Sequence, residues 1–254
     1  MVKAKIGFIG SSAPSSPHLN SFRAFIPKDV DITFVQEVNP GALLWDAQGK
    51  LDLLIRQTND LIERHEWNGV IISGGPKEVL NPGMWERLFS EVKVPVATAL
   101  RSSVAALKVF AAARILLMTP VDDKLKNLYR DYLAGFGIEA VYPPQTLRAY
   151  TDAQKLTPED VAQMTRETFA AHSGIDAIYF QGALLDPLPV LGQLEPELQA
   201  PIVASSPARL WVILSQIGLS YKIPGYGKLL ATWPPLPAGL LREVRTEKGV
   251  GDQF

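Results

Sequence analysis

The chain contains no cysteine, which excludes disulfides, thiolate nucleophiles and cysteine-ligated zinc. Histidine is scarce as well. His18, His65 and His172 are widely separated and never fall at H-x-x-x-H spacing, so no metal site is expected. Neither sign of charge is in excess, with 25 Lys and Arg against 26 Asp and Glu. Nucleic acid and anionic membrane surfaces are therefore not expected as partners. No apolar run approaches the roughly 20 residues that cross a bilayer. The stretch from Met1 to Gly10 is cut short by Ser11 and Ser12 with no A-x-A-like cleavage site, so no signal peptide is expected. The missing cysteines fit a cytoplasmic location. A length of 254 residues allows one large domain or two small ones with a real core.

What is present repeats. Ile6-Gly7-Phe8-Ile9 has a counterpart in Ile115-Leu116-Leu117-Met118. Val70-Ile71-Ile72-Ser73-Gly74-Gly75 has one in Ile178-Tyr179-Phe180-Gln181-Gly182, and Val94-Pro95-Val96-Ala97-Thr98 in Ala200-Pro201-Ile202-Val203-Ala204. The three recur at roughly 106 to 109 residues, the mark of a duplicated βα unit. The expected division is a first lobe over 1–113, a second over 114–218, and a segment over 219–254 that packs back on them, with 246–254 mobile. In the first half, strands are read over Lys5–Gly10, Asp31–Gln36, Gly69–Ser73 and Val94–Ala97, and helices over Leu51–His65, Met84–Val92 and Ser102–Ala113. The second half restarts at Ile115, with a helix over Asp122–Phe136. Another is opened by Thr157-Pro158-Glu159-Asp160 and closed by Gly174, and a third runs from Ser206-Pro207 to Gly218. Alternation of this kind predicts an α/β protein with mostly parallel sheets. Its ligand cleft should lie where strand C-terminal ends and helix N-termini of the two halves converge.

Ile6–Ile9, Gly69–Gly75, Met118-Thr119-Pro120, Asp176-Ala177-Ile178 and Pro201–Trp211 resemble the aspartate/glutamate racemase superfamily. The most specific stretch is Ser205-Ser206-Pro207-Ala208 with Trp211, then Pro224-Gly225-Tyr226-Gly227-Lys228-Leu229. It is similar to the branch holding arylmalonate decarboxylase and maleate cis–trans isomerase, and the similarity runs from about residue 5 to 230. The resemblance implies two pseudo-symmetric Rossmann-like lobes, each with a parallel four-stranded sheet, binding a small carboxylate between them with no cofactor. It leaves a homo-oligomer open. Racemases and isomerases of the group place one cysteine on each lobe, at positions that fall here on Gly75 and Gly182. The decarboxylase keeps the second as proton donor and holds the carboxylate with hydroxyls and amides of the first lobe. This chain departs from both patterns. Gly182 has no proton to give, the hydroxyl pair after Gly75 reads Pro76 and Lys77, and Val121 stands where a tyrosine is expected.

The substrate-binding candidates are accordingly Ser11, Ser12, Gly75, Pro76, Val121, Gly182, Ala183, Ser205 and Ser206. Ser11 and Ser12 read equally as a turn or cap, and one of Ser205 and Ser206 is expected to cap its helix. Lys77 and Tyr179 are the candidate proton carriers. Lys77 reads either as a cleft group pairing with a carboxylate or as a solvated loop lysine, and Tyr179, like Gln181, as a cleft or packing residue. Asp186 reads as an acid or as the cap of a helix after Pro187. Gly7-Phe8-Ile9-Gly10 lacks the third glycine and the later acidic residue of a dinucleotide site. Two functions follow. The preferred one is a cysteine-free lyase or isomerase acting on a small mono- or dicarboxylate. The alternative is a carboxylate-binding protein that has lost its chemistry.

Overall fold

The computed structural model describes residues 2–38, 41, 43–143, 150–182 and 184–242. Its strands are β1 (Ala4–Gly10), β2 (Val30–Gln36), β3 (Gly69–Ile72), β4 (Val96–Thr98), β5 (Arg114–Met118), β6 (Glu139–Val141), β7 (Ala177–Phe180) and β8 (Ile202–Ala204). The helices are α1 (Asn20–Arg23), α2 (Leu51–His65), α3 (Gly75–Leu80), α4 (Met84–Glu91), α5 (Ala99–Val109), α6 (Asp123–Ala134), α7 (Pro158–Ala170), α8 (Leu191–Leu198), α9 (Ser205–Gln216) and α10 (Gly227–Thr232). The strands form two four-stranded parallel sheets in the same order, β2-β1-β3-β4 and β6-β5-β7-β8. That shared order is the sequence repeat in three dimensions. The continuous apolar runs of β3 and β7 are buried at every residue, as parallel strands covered on both faces must be. In each sheet the chain leaves the first strand toward one side and returns on the other. This creates a crevice at the C-terminal ends of β1/β3 and of β5/β7.

Two helices rather than strands make the seam between the sheets. α5 and α9 pack on each other, and both touch β4 and β8. α5 is buried from Ala99 through Leu107 and α9 from Pro207 through Leu214, the state of a helix enclosed on all sides. Their starts were misplaced by the local sequence. α5 begins at Ala99, three residues before the expected Ser102, because the Glu78 carboxylate caps it from α3. That carboxylate accepts hydrogen bonds from the backbone N–H groups of Leu100 at 2.6 Å and Arg101 at 3.1 Å. α9 begins at Ser205 with Ala204 as its N-cap, and neither serine caps it, contrary to expectation. The third residue of this helix is Pro207, which has no N–H to give a capping side chain. α7 follows its sequence signature. The Thr157 hydroxyl accepts from the Asp160 N–H at 3.2 Å, and the Asp160 carboxylate from the Thr157 N–H at 2.8 Å.

Gly7 shows why one glycine of the weak dinucleotide-like run is a glycine. A Cβ there would come within 2.2 Å of the Trp67 ring, so the requirement is packing of Trp67 onto β1. Gly7→Val should lower stability by about 1–3 kcal/mol through overpacking. A urea unfolding midpoint equal to that of the unaltered chain would show that Trp67 moves aside freely. Beyond α10 the chain lies back across the helices. The Trp211 Nε1–H donates to the Pro234 carbonyl at 2.9 Å, and the Leu241 carbonyl accepts from Trp85 Nε1 at 2.8 Å and Arg101 Nη2 at 2.7 Å. The mobility expected of 246–254 falls outside the described residues. Among the described residues no helix is long and apolar enough to cross a membrane, and no group of three or more His, Asp or Glu is placed to hold a metal ion.

Candidate active site

The crevices of the two sheets open into one cavity of about 160 Å³. Ser11 and Ser12 follow β1. Ser73, Gly74, Gly75 and Pro76 join β3 to α3, Val121 follows β5, Gln181 and Gly182 follow β7, and Ala99, Ser205 and Arg209 belong to the seam helices. Tyr129 of α6 and Leu44 complete the wall. The cavity thus collects Ser11, Ser12, Gly75, Pro76, Val121, Gly182 and Ser205 from the sequence candidates. Ser206 lines a smaller adjoining hollow with Asp186 and Ser21. Ala183 lies outside the described residues.

Lys77 is not a solvated loop lysine. It sits in the first turn of α3, and only 6% of it is exposed. Its Nζ donates to the Ser73 carbonyl at 2.6 Å and to Ser11 Oγ at 3.1 Å, and it pairs with Glu37 Oε1 at 3.1 Å. The Ser11 hydroxyl donates in turn to Glu37 Oε1 at 2.5 Å. Of this trio Ser11 lines the cavity, while Lys77 and Glu37 line a separate hollow beside α2. Burial pushes the Lys77 ammonium below the ordinary lysine range, against the pull of the neighbouring Glu37 charge.

The two glycines that stand in the resemblance at cysteine positions are built into the surrounding structure. Gly182 has φ 105, a backbone conformation that strains any residue with a side chain. At Gly75 the room for a side chain is taken. A Cβ would lie 2.2 Å from Gln181 Nε2 and 3.2 Å from the Tyr129 hydroxyl. The Gln181 carbonyl oxygen accepts from the Thr119 hydroxyl at 3.1 Å, which holds the amide in place across the cavity. The space a side chain would need is thus occupied at Gly75, whereas at Gly182 a Cβ would approach nothing nearer than Pro120 Cδ at 4.0 Å.

Tyr179 is fully buried and is not part of the cavity wall. Its hydroxyl lies 3.2 Å from Ser205 Oγ, and burial raises its pKa above the usual tyrosine value. Ser205 Oγ donates to the Phe180 carbonyl at 3.3 Å, and Ser206 Oγ accepts from Arg209 Nη2 at 3.0 Å. Asp186 is not the N-cap of the short helix after it, which is Pro187, but its carboxylate accepts from the Leu188 N–H at 3.0 Å and from the Ser21 hydroxyl. Sequence reasoning missed Glu37, Tyr129 and Arg209. Of these only Arg209 carried a local signal, a lone charge among Ala208, Leu210, Trp211, Val212, Ile213 and Leu214.

Comparison with known proteins shows the same fold. The structure of unliganded arylmalonate decarboxylase superposes with a TM-score of 0.76 at 19% identity, covering 90% of this chain and 99% of that one. The maleate isomerase of Pseudomonas putida S16 gives 0.71 at 17% identity, covering 91% and 99%. A maleate cis–trans isomerase variant from Nocardia farcinica, whose structure holds a covalently bound succinylcysteine intermediate, gives 0.66 at 18% identity, covering 90% and 98%. At the sequence level, maleate isomerase of Alcaligenes faecalis is 24% identical over 147 residues, a stretch that spans 57% of this chain and 57% of that protein. The family model described as arylmalonate decarboxylase matches residues 78–230, more than half of the chain. By that match the chain belongs to the arylmalonate decarboxylase family.

Proposed function

We propose that the protein decarboxylates a small malonate-type acid, and that a serine–lysine–glutamate relay returns the proton a thiol would otherwise supply. The observation that carries this reading is the buried Lys77–Glu37 pair hydrogen-bonded to Ser11, a residue of the cavity wall. Two carboxylates on one carbon make loss of CO2 the step that needs charge stabilisation more than a base. As the bond from the α-carbon to one carboxylate breaks, CO2 departs and its electron pair spreads into the remaining carboxylate as an enediolate. The Ser11 hydroxyl turns from Glu37 and gives its proton to the α-carbon. Lys77 gives a proton to the serine oxygen and is recharged from water. The sum is one malonate dianion and one proton giving one monoacid anion and CO2. A lysine destabilised in its charged form is a stronger acid than a free one, which suits it to this step. Gln181 and Tyr129 are the groups beside Gly75 placed to meet the enediolate oxygens. Tyr179 acts behind the wall by positioning Ser205.

CO2 release from an arylmalonate, followed against pH, tests the reading. Because the donor is the ammonium, the rate should fall on the alkaline side through a pKa below the ordinary lysine value of 10.5. That limb should vanish in Lys77→Met. A rate that keeps rising to pH 10.5 would remove Lys77 from the relay. The second reading, a carboxylate binder without turnover, draws on the filled space beside Gly75 and on the positive φ of Gly182, which disfavours any side chain there. It predicts saturable binding of the same acids with no CO2 released.

A further inference from the structure

Arg209 lines the cavity yet takes no part in the relay. It is 4% exposed. Its Nε donates to the Ser205 carbonyl at 3.1 Å and its Nη2 to Ser206 Oγ at 3.0 Å. The guanidinium lies 5.1 Å from the Phe8 ring centre and 5.9 Å from that of Phe22, which fixes its plane and keeps water off one side. Nη1 has no acceptor, and no carboxylate pairs with Arg209 among the described residues. The other buried cation of the site, Lys77, has Glu37. Lys77 therefore has a carboxylate in contact, whereas Arg209 has none in contact among the described residues and feels Glu78 only from a distance. A buried charge without a partner is costly to a fold, and five donors fixed in a fork are shaped for a carboxylate.

We propose that Arg209 is the anchor for the ligand's carboxylate, and that its charge, with no carboxylate in contact, restricts the site to organic acids that bring a negative charge of their own. The proposal rests on the carboxylate reading of the cavity and names the residue that enforces it. Arg209 holds the carboxylate that is retained, not the one lost as CO2. A guanidinium on the departing group would stabilise the ground state of a group that must become neutral, and so slow the step. On the retained group it meets a charge that grows toward the enediolate, and so favours the transition state. Burial brings the guanidinium down to about 10, which leaves it charged at neutral pH.

Arg209→Met keeps an unbranched stem over Phe8 and Phe22 and removes the fork. Calorimetric titration with phenylacetate and with its neutral isostere phenylacetamide, together with thermal unfolding with and without phenylacetate, reads out the role. The expected result is phenylacetate affinity lower by about 30-fold or more in Arg209→Met, with the amide bound equally weakly by both proteins. The unliganded variant should melt at or above the unaltered protein, since an unpaired buried charge is gone, and saturating phenylacetate should reverse that order. Arg209→Lys, which keeps the charge without the fork, should bind phenylacetate about tenfold more weakly than the unaltered protein. Equal affinity for phenylacetate in Arg209→Met overturns the assignment. So does a parallel loss of acid and amide binding with a lowered melting temperature, the mark of a packing role. Failure of the unaltered protein to bind any carboxylate overturns the reading of the cavity itself.

Discussion

Methionine in place of Lys77 should cost the fold about 3–5 kcal/mol and the reaction at least about 100-fold, and the two losses should be separable. The stability loss comes from Glu37. With Lys77 gone, a carboxylate whose side chain is 10% exposed keeps, among the described residues, only the Ser11 hydroxyl as a partner. Adding Glu37→Gln removes the stranded charge while preserving an oxygen for Ser11 to donate to. The double variant should regain most of the stability and none of the rate. Urea unfolding and steady-state CO2 release on the three proteins check both halves. A single variant as stable as the unaltered protein, or a double variant that regains turnover, would contradict the account. The pH dependence follows from the direction of the Lys77 shift. Its folded pKa lies below the unfolded value of 10.5, so the unfolded chain binds more protons between the two. The cost of burying the ammonium is fully present below the folded pKa and is relieved as pH rises toward 10.5. The unaltered protein should therefore gain stability relative to the double variant on the alkaline side.

Glu78→Ala should be the most damaging single change outside the cavity. The carboxylate satisfies the Leu100 and Arg101 N–H groups that open α5, and the Tyr132 hydroxyl lies 3.3 Å from it. Leaving buried donors unmet costs about 1–3 kcal/mol each, and α5 is half of the seam between the sheets, so the loss reaches both. Glu78→Gln should behave differently. Burial raises the Glu78 pKa above the ordinary 4.5, so its contribution to stability is fully present below 4.5 and is lost as pH rises through the folded value. Gln keeps one acceptor and does not titrate. Its stability relative to the unaltered protein should therefore improve as pH rises above 4.5 through the folded value. Denaturant midpoints at several pH values check this, and a constant difference between the two proteins would show that Glu78 carries its charge without penalty.

The parts of the structure that were legible in the sequence are those with local causes. The apolar runs of β3 and β7 mark strands buried on both faces, and Thr157-Pro158-Glu159-Asp160 writes out its own cap. The repeat of three landmarks foretold two sheets of one order. The parts that were not legible depend on groups far apart in the chain. α3 is six residues long and follows Gly74 at φ 109, so nothing nearby marks Lys77 as buried. Its counter-charge comes from the end of β2. The early start of α5 is set by Glu78, and the filling of the space at Gly75 by Gln181 of the other sheet. Arg209 stood in plain view within an apolar helix, where a charge needs a reason.

In the proposed reaction Ser11 is the group that hands the proton to carbon. The most direct measurement is decarboxylation of an arylmalonate in deuterated water, followed by NMR for the unaltered protein and for Ser11→Ala. This variant leaves the Lys77–Glu37 pair intact and should fold normally. The unaltered protein should release CO2 and give a monoacid with a single deuterium at the α-carbon, in one predominant enantiomer where that carbon is stereogenic. Ser11→Ala should be slower by about 100-fold or more and should lose the enantiomeric preference. No CO2 from the unaltered protein, or an unchanged rate and enantiomeric excess in Ser11→Ala, would contradict the account.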